Sequence, residues 1–174
     1  MSKIAIFFGP LDGAVNRVAN KIRDAIGKEK VDMVLVKDAT VADLDKYDKI
    51  IFGISTVGKE TWHSTYSNVD WANFLPEIGK TSYEGKTMAI FGLGDHITYA
   101  GTFVDHIGLL AKELMSNGGV LVGQVPVNDY EFDDSDAVVD DKFLGLPVDE
   151  DFEPELTEER IKNWIEKIRP DFGF

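Results

Sequence analysis

The chain has 174 residues, and its 31 acidic residues exceed its 18 basic residues by 13. Such an acidic protein is a poor non-specific ligand for nucleic acid or an anionic membrane, because phosphate contacts need clustered lysine and arginine. The sequence contains no cysteine, which excludes disulfides, thiolate metal sites and cysteine nucleophiles. It also contains no run of 18 apolar residues that could form a membrane-spanning helix.

The excess negative charge is concentrated near the C-terminus. Residues 129–159, which we call the acidic tract, contain 14 acidic residues and a single base, Lys142, whereas the other 143 residues carry 17 of each sign. The length and a hydrophobic content of 44% predict one folded domain over residues 1–174. We expect a cytoplasmic location, because cysteine is absent and the N-terminus lacks the pattern of a signal peptide.

Apolar runs alternate with helical patterns in the first half of the chain. Residues 4–8 are continuously apolar, as is typical of a strand that is buried on both faces. Apolar residues then recur at helical spacing from Val15 to Ile26, and Gly27 follows as a C-cap. The remaining elements predicted in this half are a strand over residues 31–36, a short helix over 42–47 and a buried strand over 49–54.

The same alternation continues in the second half. It predicts a helix near residues 71–78, a strand over 88–91 and a helix over 103–115. A predicted fifth strand begins over residues 120–125, is interrupted by an acidic insertion and resumes over residues 143–146. A predicted last helix starts at Thr157. This order is typical of a doubly wound α/β fold with a parallel sheet. Ligands bind such sheets at the carboxyl ends of the strands, which points to the loops at residues 9–15, 55–68 and 92–103.

Four segments of the chain resemble a known family. They are residues 3–9, residues 85–95 together with Tyr99, residues 133–146 and residues 156–164. These are similar to the first strand, the fourth strand with the third flavin loop, the insertion and the last helix of the long-chain flavodoxins. The resemblance implies a flavodoxin-like five-stranded parallel sheet of order 2-1-3-4-5 between helices, with the long-chain insertion in the last strand. It also implies non-covalently bound FMN and one-electron transfer between redox proteins.

The first flavin loop departs from the family pattern, which is hydroxyl-x-hydroxyl-Gly-x-hydroxyl around the FMN phosphate. The matching residues are Pro10, Leu11, Asp12, Gly13, Ala14 and Val15, and of these only Gly13 keeps the pattern. We expect Asp12 to act as the N-cap of the following helix, where its carboxylate competes with a phosphate for the same N–H groups. Arg17 offsets part of this repulsion. The loop therefore predicts weak phosphate anchoring, or a cofactor without phosphate such as riboflavin.

The second loop, Ser55-Thr56-Val57-Gly58, resembles the family's second flavin loop. The resemblance implies that Val57 covers one face of the flavin ring and that the peptide between Gly58 and Lys59 faces its N5 atom. Two alternatives stay open for Trp62, which either covers the flavin in place of a missing aromatic residue or packs on the loop itself.

The third loop matches the family best. Backbone N–H groups around Leu93, Gly94 and Asp95 are expected at the pyrimidine edge of the flavin, and Tyr99 is expected to stack on its outer face. Phe103 is counted among the candidate contacts, although a place in the core is its more ordinary role. His96 lies beside this edge, and we expect an exposed, neutral ring.

The sequence offers no nucleophile–base pair and no cluster of metal ligands, so no catalytic or metal-binding residue is predicted. We expect a structural role for His106 and a solvated acidic loop at residues 149–151, which lack the ligand spacing of a calcium loop. The function indicated is that of a low-potential electron carrier and not of an enzyme. The expected state is a monomer whose acidic face meets basic redox partners, one a reductase and one an electron acceptor.

Two alternatives remain at this stage. One is a flavodoxin-like protein with weakened or lost phosphate anchoring, which binds riboflavin or acts as a flavin-free binding module. The other is an NAD(P)H-dependent flavin or quinone reductase, which ranks lower because the chain has no second glycine-rich nucleotide loop.

Overall fold

The computed structural model describes residues 3–55 and 69–174. The strands are β1 (Ile4–Phe8), β2 (Val31–Leu35), β3 (Lys49–Ile54), β4 (Thr87–Leu93), β5 (Val120–Leu121), β6 (Val125–Pro126), β7 (Val138–Val139), β8 (Lys142–Phe143) and β9 (Leu146–Val148). The helices are α1 (Ala14–Ile26), α2 (Val41–Leu44), α3 (Val69–Ile78), α4 (Asp105–Ser116) and α5 (Thr157–Phe172). No helix in these ranges is long and apolar enough to cross a lipid bilayer.

The central sheet is parallel and has the order β2-β1-β3-β4-β5, which confirms the predicted doubly wound topology. Its central strands β1, β3 and β4 are buried on both faces, so side chains of alternating residues enter two separate cores. Ala5 and Phe7 point into a core with α3 and α4, whereas Ile4, Ile6 and Phe8 point into a core with α1 and α5. This double burial explains why the strand sequences are continuously apolar.

The fifth strand position is shared by two short strands. β5 pairs with the first residues of β4, with Met88 opposite Leu121, and β9 pairs with its last residues, with Phe91 opposite Leu146. The interruption was predicted, but β5 ends at Leu121 and not at residue 125, and the strand resumes at Leu146 and not at residue 143. The physical reason is Gly123, whose φ of 83° turns the chain out of the sheet.

The insertion between β5 and β9 forms a small antiparallel sheet of order β6-β8-β7. An aromatic cluster attaches it to the main body: Tyr130, Phe132 and Phe143 surround Phe103 with ring centroids 5.8–6.0 Å away. Backbone hydrogen bonds add to this attachment, because the carbonyl of Ala100 accepts the N–H groups of residues 133 and 134. The insertion therefore covers α4 and is fixed to the loop that precedes it.

The bounds of α2 and α4 differ from the sequence prediction, whereas the end of α1 agrees with it. The short helix α2 covers Val41–Leu44, not residues 42–47, and its start is fixed by a capping box between Thr40 and Asp43. The helix predicted over residues 103–115 begins at Asp105 instead, because Val104 has a φ of 48° in the left-handed region and ends the preceding loop. The predicted end of α1 at Gly27 is confirmed.

Candidate functional site

The carboxyl ends of the parallel strands meet at one edge of the sheet, and the loops that follow β1, β4 and β9 lie there. The loop that follows β3 is described only as far as Ser55, which is half-buried. Five predicted flavin contacts fall outside the described residues: Thr56, Val57, Gly58, Lys59 and Trp62. Their roles stay predictions.

The loop after β1 presents the N-terminus of α1 without a side-chain cap. Gly13, with a φ of 126°, occupies the N-cap position, and among the described residues no side-chain cap hydrogen bond is made there. The predicted N-cap role of Asp12 is therefore wrong: Asp12 lies one residue earlier and is exposed. A glycine takes this position because the backbone there has a positive φ that a side chain disfavours.

The consequence is a set of backbone donors without an intrahelical acceptor. The first regular bond of α1 runs from the N–H of Arg17 to the carbonyl of Gly13, so the N–H groups of Ala14, Val15 and Asn16 precede the helical ladder. Within residues 3–55 and 69–174 no side chain caps them. Free N–H groups and the helix dipole make such an end suitable for an anionic group.

Among the described residues, the side chains of the loop at 10–15 supply no further donors. Pro10 is half-buried, Leu11 is 42% exposed, and Val15, in the first turn of α1, is buried in the core. Arg17 lies with its Nε 3.9 Å from Oε1 of Glu150, so its charge is directed to the acidic tract. Arg17 therefore offsets less of the negative charge of Asp12 than the sequence predicted, because the carboxylate of Glu150 already neighbours that arginine.

The loop after β4 is held by its own backbone and by β9. The N–H of Gly94 donates to the carbonyl of Val148 at 3.0 Å. Asp95 accepts the N–H groups of Ile97 and Thr98 through Oδ1, at 3.0 and 2.7 Å, and so closes a tight turn. Tyr99 follows this turn with half of its surface exposed. The loop thus presents an aromatic ring that does not belong to the core.

Gly94 is required by packing. A Cβ at this position would lie 2.7 Å from Cγ1 of Val104 and 3.2 Å from the ring of Phe103. Phe103 itself is fully buried, so its prediction as a cofactor contact is corrected: the ring has no surface left for a bound molecule and instead supports Gly94 from beneath. Leu93 is buried as well, with 7% of its surface exposed.

His96 differs from the sequence prediction of an exposed ring. Only 12% of its side chain is exposed, its Nδ1 contacts Oδ2 of Asp149, and its Nδ1 lies 3.5 Å from Oε1 of Glu153. The ring also meets Phe103 and Phe152 edge-on, at centroid distances of 6.3 and 6.2 Å. The two carboxylate partners follow His96 in the sequence by more than 50 residues, which explains why no local pattern indicated them.

Asp149 also differs from its prediction, because its side chain is fully buried and not part of a solvated loop. Its Oδ1 accepts the N–H groups of Asp151 and Phe152 at 2.9 Å each, and its Oδ2 accepts the N–H of His96 at 3.0 Å. Burial raises the pKa of this carboxyl, but these bonds and the His96 ring outweigh it, and the pKa lies below its usual value. A carboxylate that directly follows β9 thus connects two loops of the site.

His106 lies on α4 behind the loop that follows β4. Burial lowers the pKa of its ring to about 4, and a hydrogen bond to the backbone of Leu93 offsets part of this effect. Its Nε2 has no hydrogen-bond partner among the described residues. A neutral, buried ring in this place agrees with the structural role that the sequence indicated.

The whole chain is similar to known proteins. A family model described as Flavodoxin matches residues 6–164. The flavodoxin of Synechococcus elongatus is 34% identical over 174 residues, covering 99% of each chain, and that of a Nostoc species is 37% identical over 171 residues, covering 98% of each. The structure also superposes on that of Fusobacterium nucleatum flavodoxin bound to flavin mononucleotide, with a TM-score of 0.87, 25% identity and 99% of each chain covered.

The family model, the full-length relatives and the strand order agree with one another. The length of 174 residues and the interrupted fifth strand fit the long-chain type. On this evidence the chain belongs to the flavodoxin family.

Proposed function

We propose that this flavodoxin carries single electrons between redox proteins and uses non-covalently bound FMN as its redox group. The observation that carries the proposal is the full-length match to flavodoxins, one of which has been solved with FMN and has the same fold over 99% of its length. Flavodoxins are electron-transfer proteins and not enzymes, which disfavours the alternative of an NAD(P)H-dependent reductase.

The described residues fit an FMN molecule in three places. The uncapped N–H groups of Ala14 to Asn16 suit its phosphate, the backbone at Asp95 suits its pyrimidine edge, although the N–H of Gly94 already donates to Val148, and the half-exposed ring of Tyr99 suits stacking. Bound FMN supplies the redox chemistry, and the protein supplies its position and electrostatic surroundings. Ser55 and the predicted contacts at residues 56–59 and 62 would complete the site from the loop after β3.

The first loop supports a second candidate, a flavodoxin that holds the phosphate weakly and also accepts riboflavin. The three hydroxyl positions of the family pattern are Pro10, Asp12 and Val15, so the loop offers backbone donors alone. Because Asp12 is exposed, water screens its repulsion of a phosphate to on the order of 1–2 kcal/mol. We therefore expect the preference for FMN over riboflavin to be smaller than in a flavodoxin with three hydroxyl groups.

A flavin-reloading experiment tests both candidates. The purified protein should be yellow, and the apoprotein should bind FMN more tightly than riboflavin. Asp12→Ser should strengthen FMN binding about tenfold, since ~1.4 kcal/mol is a factor of ten, and should leave riboflavin binding unchanged. Lys28→Ser, which changes an exposed charge beyond the far end of α1, is the matched control and should alter neither affinity.

The outcomes separate the hypotheses. A colourless protein that binds neither flavin would overturn the carrier proposal. Equal affinity for FMN and riboflavin, unchanged in Asp12→Ser, would favour the phosphate-independent candidate. A nanomolar dissociation constant for FMN in the unmodified protein, with much weaker binding of riboflavin, would refute weak phosphate anchoring and leave the carrier proposal intact.

The acidic tract supports partners with basic docking faces. Glu150 and Asp151 lie at the carboxyl edge of the sheet, where the third loop exposes Tyr99. Complementary charge raises association rates and is screened by salt, so reduction of the carrier by a basic partner should slow as ionic strength rises. A rate that is independent of salt would contradict this docking mode.

We also propose a low redox potential, a monomeric state and a cytoplasmic location. The reduced flavin carries negative charge, and each ~1.4 kcal/mol by which the tract destabilises that charge lowers a one-electron potential by about 59 mV. Potentiometric titration and size-exclusion chromatography test the first two. A potential above that of free FMN would refute the electrostatic argument.

A further inference from the structure

One cluster in the site carries metal-ligating atoms that the flavin does not require. His96, Asp149 and Glu153 each offer one ligand atom, and these atoms lie within 4.8 Å of one another. They come from three segments: the loop after β4, the residue after β9, and the residue that precedes the turn Pro154–Leu156. Their convergence is therefore a product of the tertiary fold.

We propose that this cluster is a Zn²⁺ site. Nδ1 of His96, Oδ2 of Asp149 and Oε1 of Glu153 are the three protein ligands, and a water molecule is the fourth. The distance of 3.5 Å between Nδ1 and Oε1 is close to the ~3.3 Å that separates two ligands of a tetrahedral zinc ion, whereas Nδ1 and Oδ2 of Asp149 are in hydrogen-bond contact and move apart to admit the ion. A mixed set of one imidazole and two carboxylates suits zinc, whereas Ca²⁺ and Mg²⁺ favour oxygen ligands alone.

One of the ligands, Asp149, is already oriented. Asp149 is fully buried, and its carboxylate is fixed by the N–H groups of His96, Asp151 and Phe152. Bonds of this kind hold metal-ligating carboxylates in place. In the metal-free protein a proton on Nδ1 of His96 bridges to Asp149. Zinc takes the place of this proton on Nδ1 while the neutral ring carries its proton on Nε2, and none of the three backbone bonds has to break.

The electrostatic surroundings favour a cation. Asp95, Glu150 and Asp151 lie near the cluster and add negative charge to its surroundings. Two arginines of the described residues oppose the ion: Nη2 of Arg160 lies 3.3 Å from Oε1 of Glu153, and Nε of Arg17 lies 3.9 Å from Oε1 of Glu150. Arg160 is also anchored elsewhere, because Nη2 donates to the carbonyl of Asp129 at 3.1 Å and the guanidinium lies 4.2 Å from the centroid of the Tyr130 ring.

Oε1 of Glu153 contacts both His96 and Arg160, so binding of the ion through Oε1 requires the carboxylate to turn its other oxygen toward Arg160, which its other contacts hold in place. Bound zinc would then connect the third flavin loop to the segment that leads into α5. This inference concerns residues outside the proposed flavin contacts. A flavin-free protein would bind zinc in the same way, so the two proposals fail independently.

Zinc titration of the purified full-length protein by calorimetry tests the site. The chain has three histidines, and His63 lies outside the described residues, so every protein is prepared with His63→Gln to remove a competing ligand. We expect one zinc per chain, and an affinity at least tenfold lower in His96→Gln and in Glu153→Gln. Asp151→Asn removes a neighbouring charge but no ligand atom, so it is the matched control and should change the affinity less than threefold.

Nitrogen chemical shifts of the imidazole provide a second measurement that does not depend on affinity. Zinc should move the Nδ1 resonance of His96 and leave that of the buried His106 unchanged. Zinc affinity that survives His96→Gln would overturn the proposal, as would no binding by the parent protein. A loss of zinc affinity in Asp151→Asn as large as that in Glu153→Gln would also overturn the proposal. The ion would then be held by the negative charge of the acidic surface and not by three ligand atoms.

Discussion

His106 should make the stability of this protein depend on pH. The ring is buried on α4, and its Nε2 has no hydrogen-bond partner among the described residues. Charging it would place an imidazolium in an apolar environment, which is why its pKa falls from 6.5 to about 4. The unfolded chain therefore binds more protons than the folded chain between these two values, and stability falls as pH falls through that window.

The size of the effect follows from the two pKa values. A shift from 6.5 to about 4 corresponds to about 3.4 kcal/mol at pH values well below 4, since one pKa unit is ~1.4 kcal/mol. At pH 5 the unfolded ring is almost fully protonated and the folded ring is not, which gives a loss of about 2 kcal/mol relative to pH 7.5. This is a substantial part of the ~5–15 kcal/mol that stabilises a typical domain.

Urea unfolding of the protein and of His106→Leu at pH 7.5 and pH 5, with the same flavin content, measures this loss. Leucine cannot be protonated, so the unmodified protein should lose about 2 kcal/mol more than the variant between the two pH values. Carboxyl groups contribute equally to both proteins, including Asp105, whose pKa burial raises. If the unmodified protein and His106→Leu lose the same free energy of unfolding within ~0.5 kcal/mol, the argument is refuted. An NMR titration that shows the folded His106 ring gaining its proton near pH 6 would also refute it.

Three substitutions test other parts of the structure. Tyr99→Ala should weaken flavin binding about three- to tenfold, since stacking is worth ~0.5–1.5 kcal/mol, and should leave the urea midpoint unchanged because the ring is half exposed. Phe103→Ala should lower the free energy of unfolding by about 3–5 kcal/mol, because the ring is fully buried; a change below ~1 kcal/mol would contradict its place in the core. Gly123→Ala should cost about 1–3 kcal/mol in a urea titration, since φ is 83° and a Cβ would lie 2.7 Å from Nε1 of Trp164; an unchanged midpoint would refute this.

The sheet could be predicted from the sequence because its determinants are local. Residues 4–8 are continuously apolar, and the fold buries both of their faces, so a single pattern identifies a strand in the interior of a doubly wound sheet. The first helix follows from the spacing of its apolar residues and from Gly27, whose φ of 126° suits a glycine at a helix end. In both cases the tertiary structure and the local preference agree.

The parts of the site that were mispredicted depend on contacts between distant segments. Asp12 is a favoured N-cap residue, but Gly13 takes that position because of its backbone conformation. His96 and Asp149 are 53 residues apart, and no periodicity relates a loop histidine to a carboxylate that follows another strand. Phe103 occurs in a loop sequence, yet the insertion supplies the three aromatic rings that bury it.

The shared fifth strand position has a consequence for engineering the chain. Leu121 lies opposite Met88 and Leu146 lies opposite Phe91, so a linker of two residues would span the gap and replace residues 122–145 with an uninterrupted strand. The shortened chain would lose seven acidic residues and one lysine, and its formal charge would change from −13 to −7. It would also uncover Phe103 and the face of α4 at Gly108, which the backbone of Asp136 now crosses closely. A miniaturised version of this protein therefore needs polar substitutions on α4 as well as a new linker.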